Sequence, residues 1–70
     1  MKLTINGNET TVSEGLNVSQ LLTEQNVEMP DMVSVELNGE IMDREAYDTT
    51  LLKENDVLEF LYFMGGGTSG

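Results

Sequence analysis

Seventy residues suffice for one domain and are too few for two separate cores or an enclosed cleft. Cys and His are both absent, which removes the usual nucleophile, the usual neutral-pH general base and the ligands of zinc or iron–sulfur sites, so catalysis by this chain alone is not expected. Lys2, Arg44 and Lys53 face 13 acidic side chains, and a formal charge of −10 repels nucleic acid and anionic lipid; it suits either a basic protein partner or simple solubility.

The first residues, Met1-Lys2-Leu3-Thr4-Ile5, alternate apolar and polar and lack the apolar stretch of a signal peptide, and no segment is long enough to span a bilayer. A cytoplasmic protein is expected. Leu3 and Ile5 on one side of a strand, a two-residue Asn6-Gly7 turn and an extended Glu9 to Val12 predict a β-hairpin. After a turn at Glu14-Gly15, Asn17 with Gln20 three residues on forms a capping-box start. Val18, Leu21, Leu22 and Gln25 then share the face of a short helix from about Val18 to Gln25.

Asn26 to Asp31, with the only proline, reads as a loop. Val33, Val35 and Leu37 then alternate with polar residues up to a second turn at Asn38-Gly39, which leads into Ile41. Asp43 to Thr50 is polar and irregular, with Tyr47 as its one large anchor. Glu54-Asn55-Asp56 turns the chain into a last strand, Val57 to Phe63. The order predicts an α+β fold, ββαββ, in which one helix lies across a small mixed sheet whose terminal strands are parallel central neighbours. The domain is expected over residues 1–64, with residues 65–70 as a flexible glycine-rich tail.

Gly65-Gly66-Gly67 cannot extend the strand well, because each lacks a packing side chain and loses more entropy on ordering than any other residue. Taken alone, such an end also fits a merely frayed terminus. Alternation along the last strand turns Leu58 and Phe60 toward the helix and Val57, Leu61 and Phe63 away from it. Leu61, Phe63 and Met64, with Gly65, form the candidate docking patch. Tyr47 and Tyr62 should fill the core or cover its edge. Arg44 is expected to pair locally with Asp43 or Glu45. Glu54 and Asp56 lack the ligand spacing of a cation loop and read as solvated turn residues; no metal is expected.

The acidic turn Glu54-Asn55-Asp56, the strand and spacer to Gly65, and the terminal Gly66-Gly67 resemble the end of the thiamine-type sulfur carriers, the ThiS family, which are related to the MoaD proteins. Glu36-Leu37-Asn38-Gly39 with Arg44-Glu45 and Tyr47 is similar to that family's central segment, and Gly15-Leu16-Asn17-Val18 with Leu21-Leu22 to the start of its helix. The resemblance spans the whole chain and implies a ubiquitin-like β-grasp fold. It also implies a carrier whose terminal glycine is adenylated by an E1-like adenylyltransferase of the ThiF or MoeB type. The carboxylate would then become a thiocarboxylate that supplies a biosynthetic enzyme such as thiazole synthase. No cofactor is bound by the carrier itself; ATP and magnesium are used by the activating enzyme.

Counted from the Asp56 turn, the family's diglycine falls on Gly66 and Gly67. Thiamine-type members normally end there, whereas Thr68-Ser69-Gly70 follows here and leaves Gly67 an amide that cannot be adenylated. Removal of those residues by a processing metalloprotease, as in relatives serving amino-acid or metabolite sulfur transfer, is the favoured expectation; direct use of the Gly70 carboxylate, an inactive paralogue and an added terminal residue are the alternatives. A ubiquitin-like protein modifier and a noncatalytic binding module remain the competing functions.

Overall fold

The computed structural model describes residues 1–62. Strands β1 (Lys2–Ile5) and β2 (Asn8–Thr11) form the expected antiparallel hairpin, with Lys2 opposite Thr11 and Ile5 opposite Asn8. A two-residue hairpin turn of the favoured twist needs positive φ at both positions. Asn6 at 51° and Gly7 at 85° supply it.

Helix α1 (Val18–Glu24) starts at the expected cap. Asn17 Oδ1 accepts the Gln20 N–H at 2.8 Å, and Gln20 Oε1 accepts the Asn17 N–H at 2.9 Å, so two otherwise unpaired N–H groups are satisfied reciprocally. The helix ends where Asn26 enters the left-handed region at φ 57°. Asn26 and Val27 then donate to the carbonyls of Thr23 and Leu22, closing the last turn. Val18, Leu21 and Leu22 form the buried face, and Gln25 is the C-cap.

Strands β3 (Val33–Leu37), β4 (Glu40–Ile41) and β5 (Val57–Tyr62) complete a five-stranded sheet in the order β2-β1-β5-β3-β4. β1 and β5 are parallel and central; the other pairs are antiparallel. The four longer strands with α1 give the expected ββαββ, to which β4 adds a two-residue return against β3. Leu3 and Ile5 of β1, Leu58 and Phe60 of β5, and Val33 and Val35 of β3 meet the helix in one core. Leu58 is fully buried, so truncating it to Ala would cost about 2–5 kcal/mol. The loop before β3 and the polar segment after β4 each contain one short 3-10 turn, Pro30–Met32 and Arg44–Ala46.

Because β4 is so short, the outer edge of β3 would be left with unpaired main-chain groups beside the core. Met42 N–H donates to Val35 O at 2.9 Å. The Tyr47 hydroxyl accepts the Val35 N–H at 3.0 Å and lies 3.5 Å from Val33 O, to which it donates. Arg44 donates to Val33 O at 2.8 Å and to Pro30 O at 3.0 Å, with its guanidinium carbon 5.3 Å from the centre of the Tyr47 ring. The expected pairing of Arg44 with Asp43 or Glu45 is therefore incorrect: among the described residues Arg44 forms no ion pair. A screened attraction to an exposed neighbouring carboxylate is worth little. The carbonyls of Val33 on β3 and of Pro30 in the turn before it offer charge-assisted hydrogen bonds instead.

Tyr47→Phe keeps the buried ring but strands the Val35 N–H. Urea denaturation should show a loss of about 1–3 kcal/mol as a lower midpoint at unchanged slope; an unchanged midpoint would contradict this role for the hydroxyl.

Candidate functional site

The expected reactive residues Gly66 and Gly67, and Phe63, Met64 and Gly65 of the expected docking patch, lie outside the described residues, as does the expected tail over residues 65–70. Leu61 is described. The geometry that bears on the site is thus that of β5, the strand from which the tail departs.

Along β5, Leu58 and Phe60 are buried against the helix, while Val57, Glu59 and Leu61 point to the opposite side of the sheet. Val57 and Leu61 are 45% and 37% exposed, as alternation predicts. Tyr62, at the inner-face position after Phe60, is 49% exposed and does not fill the core; Tyr47 is the buried one. The outer face also carries Ile41, 61% exposed, on β4 beside Glu36. The β3–β5 register sets Glu36 directly opposite Glu59 and Ser34 opposite Leu61. This face therefore combines separated apolar side chains with two like charges side by side, in a chain already strongly negative.

β5 is held on both flanks. On the β1 side Thr4 N–H donates to Asp56 O and Asn6 N–H to Leu58 O, each at 2.9 Å. Asn6 Oδ1 accepts the N–H of Phe60, also at 2.9 Å. At the start of the strand, on the β3 side, Asn38 N–H donates to Val57 O at 2.7 Å, and Asn38 Oδ1 accepts the Val57 N–H at 3.0 Å. Both Asn-Gly turns were legible as turns, but the clamping of β5 by their side chains was not, because those partners lie 54 and 19 residues away.

The acidic turn before β5 is more tightly engaged than a solvated one. Asp56 Oδ2 accepts the Lys53 N–H at 2.8 Å and its Oδ1 accepts Asn38 Nδ2 at 3.2 Å, while Glu54 Oε1 accepts the Lys2 N–H at 3.1 Å. Asn55 supplies the positive φ of 73° that the turn requires. Among the described residues no group of three or more acidic side chains is arranged to hold a metal ion, and no helix is long and apolar enough to cross a membrane.

A single helix across a mixed sheet, with the first and last strands parallel at its centre, defines the ubiquitin-like β-grasp class. The model of the ThiS family matches residues 2–67, and the chain belongs to that family. A crystal structure of the thiamine biosynthesis protein ThiS from Geobacter metallireducens is similar, with a TM-score of 0.85 and 54% identity over 96% of this chain and 100% of that one. A solution NMR structure of a thiamine biosynthesis protein from the same organism gives 0.80 and 53%, over 97% of this chain and 90% of that one. Among curated proteins, thiazole synthase from Paramagnetospirillum magneticum is 40% identical over 68 residues, and thiazole synthase from Magnetococcus marinus 33% identical over 67. This chain spans 21% and 20% of the length of those two relatives.

Like charges directly opposite on paired strands are unfavourable. Glu59→Gln should stabilise the isolated domain by about 0.2–0.5 kcal/mol at low salt, with the gain shrinking as added salt screens the pair. Urea midpoints at two ionic strengths test this, and a less stable variant at low salt would contradict it.

Proposed function

We propose that the chain is a sulfur carrier protein of thiamine biosynthesis whose working group is the Gly67 carboxylate, exposed by removal of Thr68-Ser69-Gly70. The observation that carries this reading is the ThiS match itself, which runs through residue 67 and so ends on the second glycine of the candidate pair, leaving the last three residues outside. The names of the similar proteins, thiamine biosynthesis protein and thiazole synthase, support the thiazole branch over sulfur delivery to amino acids or other metabolites.

The chemistry has three steps. A peptidase adds water across the Gly67–Thr68 amide, leaving a carboxylate on Gly67. An E1-like adenylyltransferase of the ThiF or MoeB type binds ATP and magnesium; a Gly67 carboxylate oxygen attacks the α-phosphorus and pyrophosphate leaves, giving an acyl adenylate. Hydrosulfide, or an equivalent sulfur nucleophile, then adds to the acyl carbon and AMP departs with the C–O bond electrons. The product is a thiocarboxylate, which passes sulfur to a thiazole synthase.

The carrier contributes an acyl group and a surface. Glycines without Cβ atoms let the terminal carboxylate enter a narrow channel and approach the α-phosphate, and positioning of this kind supplies much of the rate of such transfers. The outer face of the sheet, with Ile41, Val57 and Leu61 beside Glu36 and Glu59, suits an activator that presents apolar groups and a cation between the two carboxylates. Phe63, Met64 and Gly65 belong to the same proposed contact.

Intact-mass spectrometry tests the reading on chain ended at Gly67, incubated with an adenylyltransferase active on an established ThiS protein, ATP, magnesium and sulfide. A gain of about 16 mass units, sulfur for oxygen at the activated acyl group, is expected. No gain beside a responding control carrier would contradict it, and isopeptide conjugates to lysines would favour the protein-modifier reading.

A further inference from the structure

β1 pairs with β5 only at Thr4 with Val57 and Ile5 with Leu58, whereas β3 accompanies β5 as far as Tyr62. Main-chain groups of successive residues face the two flanks of a strand alternately. On one flank of β5, Thr4 N–H donates to Asp56 O and Asn6 N–H to Leu58 O; on the other, Asn38 N–H donates to Val57 O. The N–H and C=O of Phe60 and Tyr62 therefore face the β1 flank, where β1 has already turned back into the hairpin. Asn6 Oδ1 accepts the Phe60 N–H. The Phe60 carbonyl and both main-chain groups of Tyr62 have no partner among the described residues. β5 thus ends in a short open sheet edge whose opposite flank is fixed by β3.

A groove of about 270 Å³ adjoins this edge, between the hairpin and the end of α1. Its polar lining consists of the carboxamides of Asn6, Asn8 and Gln25 and the hydroxyls of Thr10 and Tyr62. No acidic or basic side chain lines it, in a chain with 13 acidic residues. A strand laid against the edge would point alternate side chains into this groove and onto the outer face of the sheet beside Leu61. An uncharged polar side chain suits the first position, because the carboxamides offer it both donors and acceptors, and an apolar one suits the second.

We infer that the open edge of β5 at Phe60 and Tyr62 receives an extended segment of the activating adenylyltransferase, which adds a short strand to the sheet. The site rests on the carrier reading above. Strand addition draws affinity from main-chain hydrogen bonds and selectivity from the pockets that take alternate side chains. Here the Tyr62 N–H donates, the carbonyls of Phe60 and Tyr62 accept, and the groove selects against charge. The edge is continuous with the outer face at Leu61, so one partner can hold both. A second copy of this chain fits less well, since it would bring a further formal charge of −10 to the contact.

Proline at position 62 isolates the main-chain contribution, because it removes the outward N–H while the β3 ladder bonds through Leu61 and Glu59. Chains ended at Gly67 keep every described element, all of which lie within residues 1–62. Affinity for an adenylyltransferase active on an established ThiS protein is compared for Tyr62→Ala and Tyr62→Pro, which both lack the aromatic ring and differ in the N–H. Tyr62→Pro should bind about tenfold more weakly than Tyr62→Ala, with a urea midpoint no lower. In the parent chain, hydrogen exchange at the Tyr62 amide should slow by about tenfold or more on binding. Equal affinities for the two variants, or a Tyr62 amide that exchanges equally fast in the complex, would overturn the edge site alone. A lower urea midpoint for Tyr62→Pro would overturn the placement of that N–H on the open flank. A parent chain that the enzyme neither binds nor adenylates would overturn the carrier reading and the site with it.

Discussion

The central strand β5 is bonded to a parallel neighbour on one side and an antiparallel neighbour on the other, and it brings the fully buried Leu58 to the middle of the core. A domain of this size has one core and no disulfide to reinforce it, so the packing of that strand against α1, β1 and β3 carries much of its stability. The same strand is the root of the glycine-rich end.

Two kinds of side chain complete what the short strands leave unfinished. On β3, Arg44 and Tyr47 occupy the edge that the two-residue β4 fails to cover. On β5, the amide oxygens of Asn6 and Asn38 stand in for main-chain carbonyls at the points where the backbone has turned away. A small fold can thus use tight turns without leaving sheet N–H groups unpaired. On the opposite face of the sheet Ile41, Val57 and Leu61 are exposed and Glu36 stands opposite Glu59.

Most of this architecture was legible in the residues. Asn-Gly before alternating apolar positions specifies a hairpin because few residues tolerate the left-handed backbone of such a turn, and Asn17 with Gln20 specifies a helix start because the two bonds are local. Alternation along Val57 to Leu61 separated the buried from the exposed face correctly. Pairings between residues distant in the chain were not legible. Arg44 stands between two carboxylates in the sequence, yet it bonds to carbonyls of Pro30 and Val33, which only the folded chain brings near. Asp56 looked like a solvated turn residue because its bond to Asn38 depends on β3 lying beside β5. The candidate glycines Gly66 and Gly67 rest on resemblance to the ThiS family, since a glycine run by itself has no chemistry that distinguishes a carrier tail from any other chain end.

In the proposed reading, activation depends on removal of the residues beyond Gly67, because an amide at that position has no free carboxylate to adenylate. The most direct measurement is the intact mass of the protein purified from the cells that make it. A chain ending at Gly67, with a fraction about 16 mass units heavier as the thiocarboxylate, is the expected result. A population in which every molecule retains Thr68-Ser69-Gly70 would contradict the assignment of Gly67 as the sulfur-bearing residue.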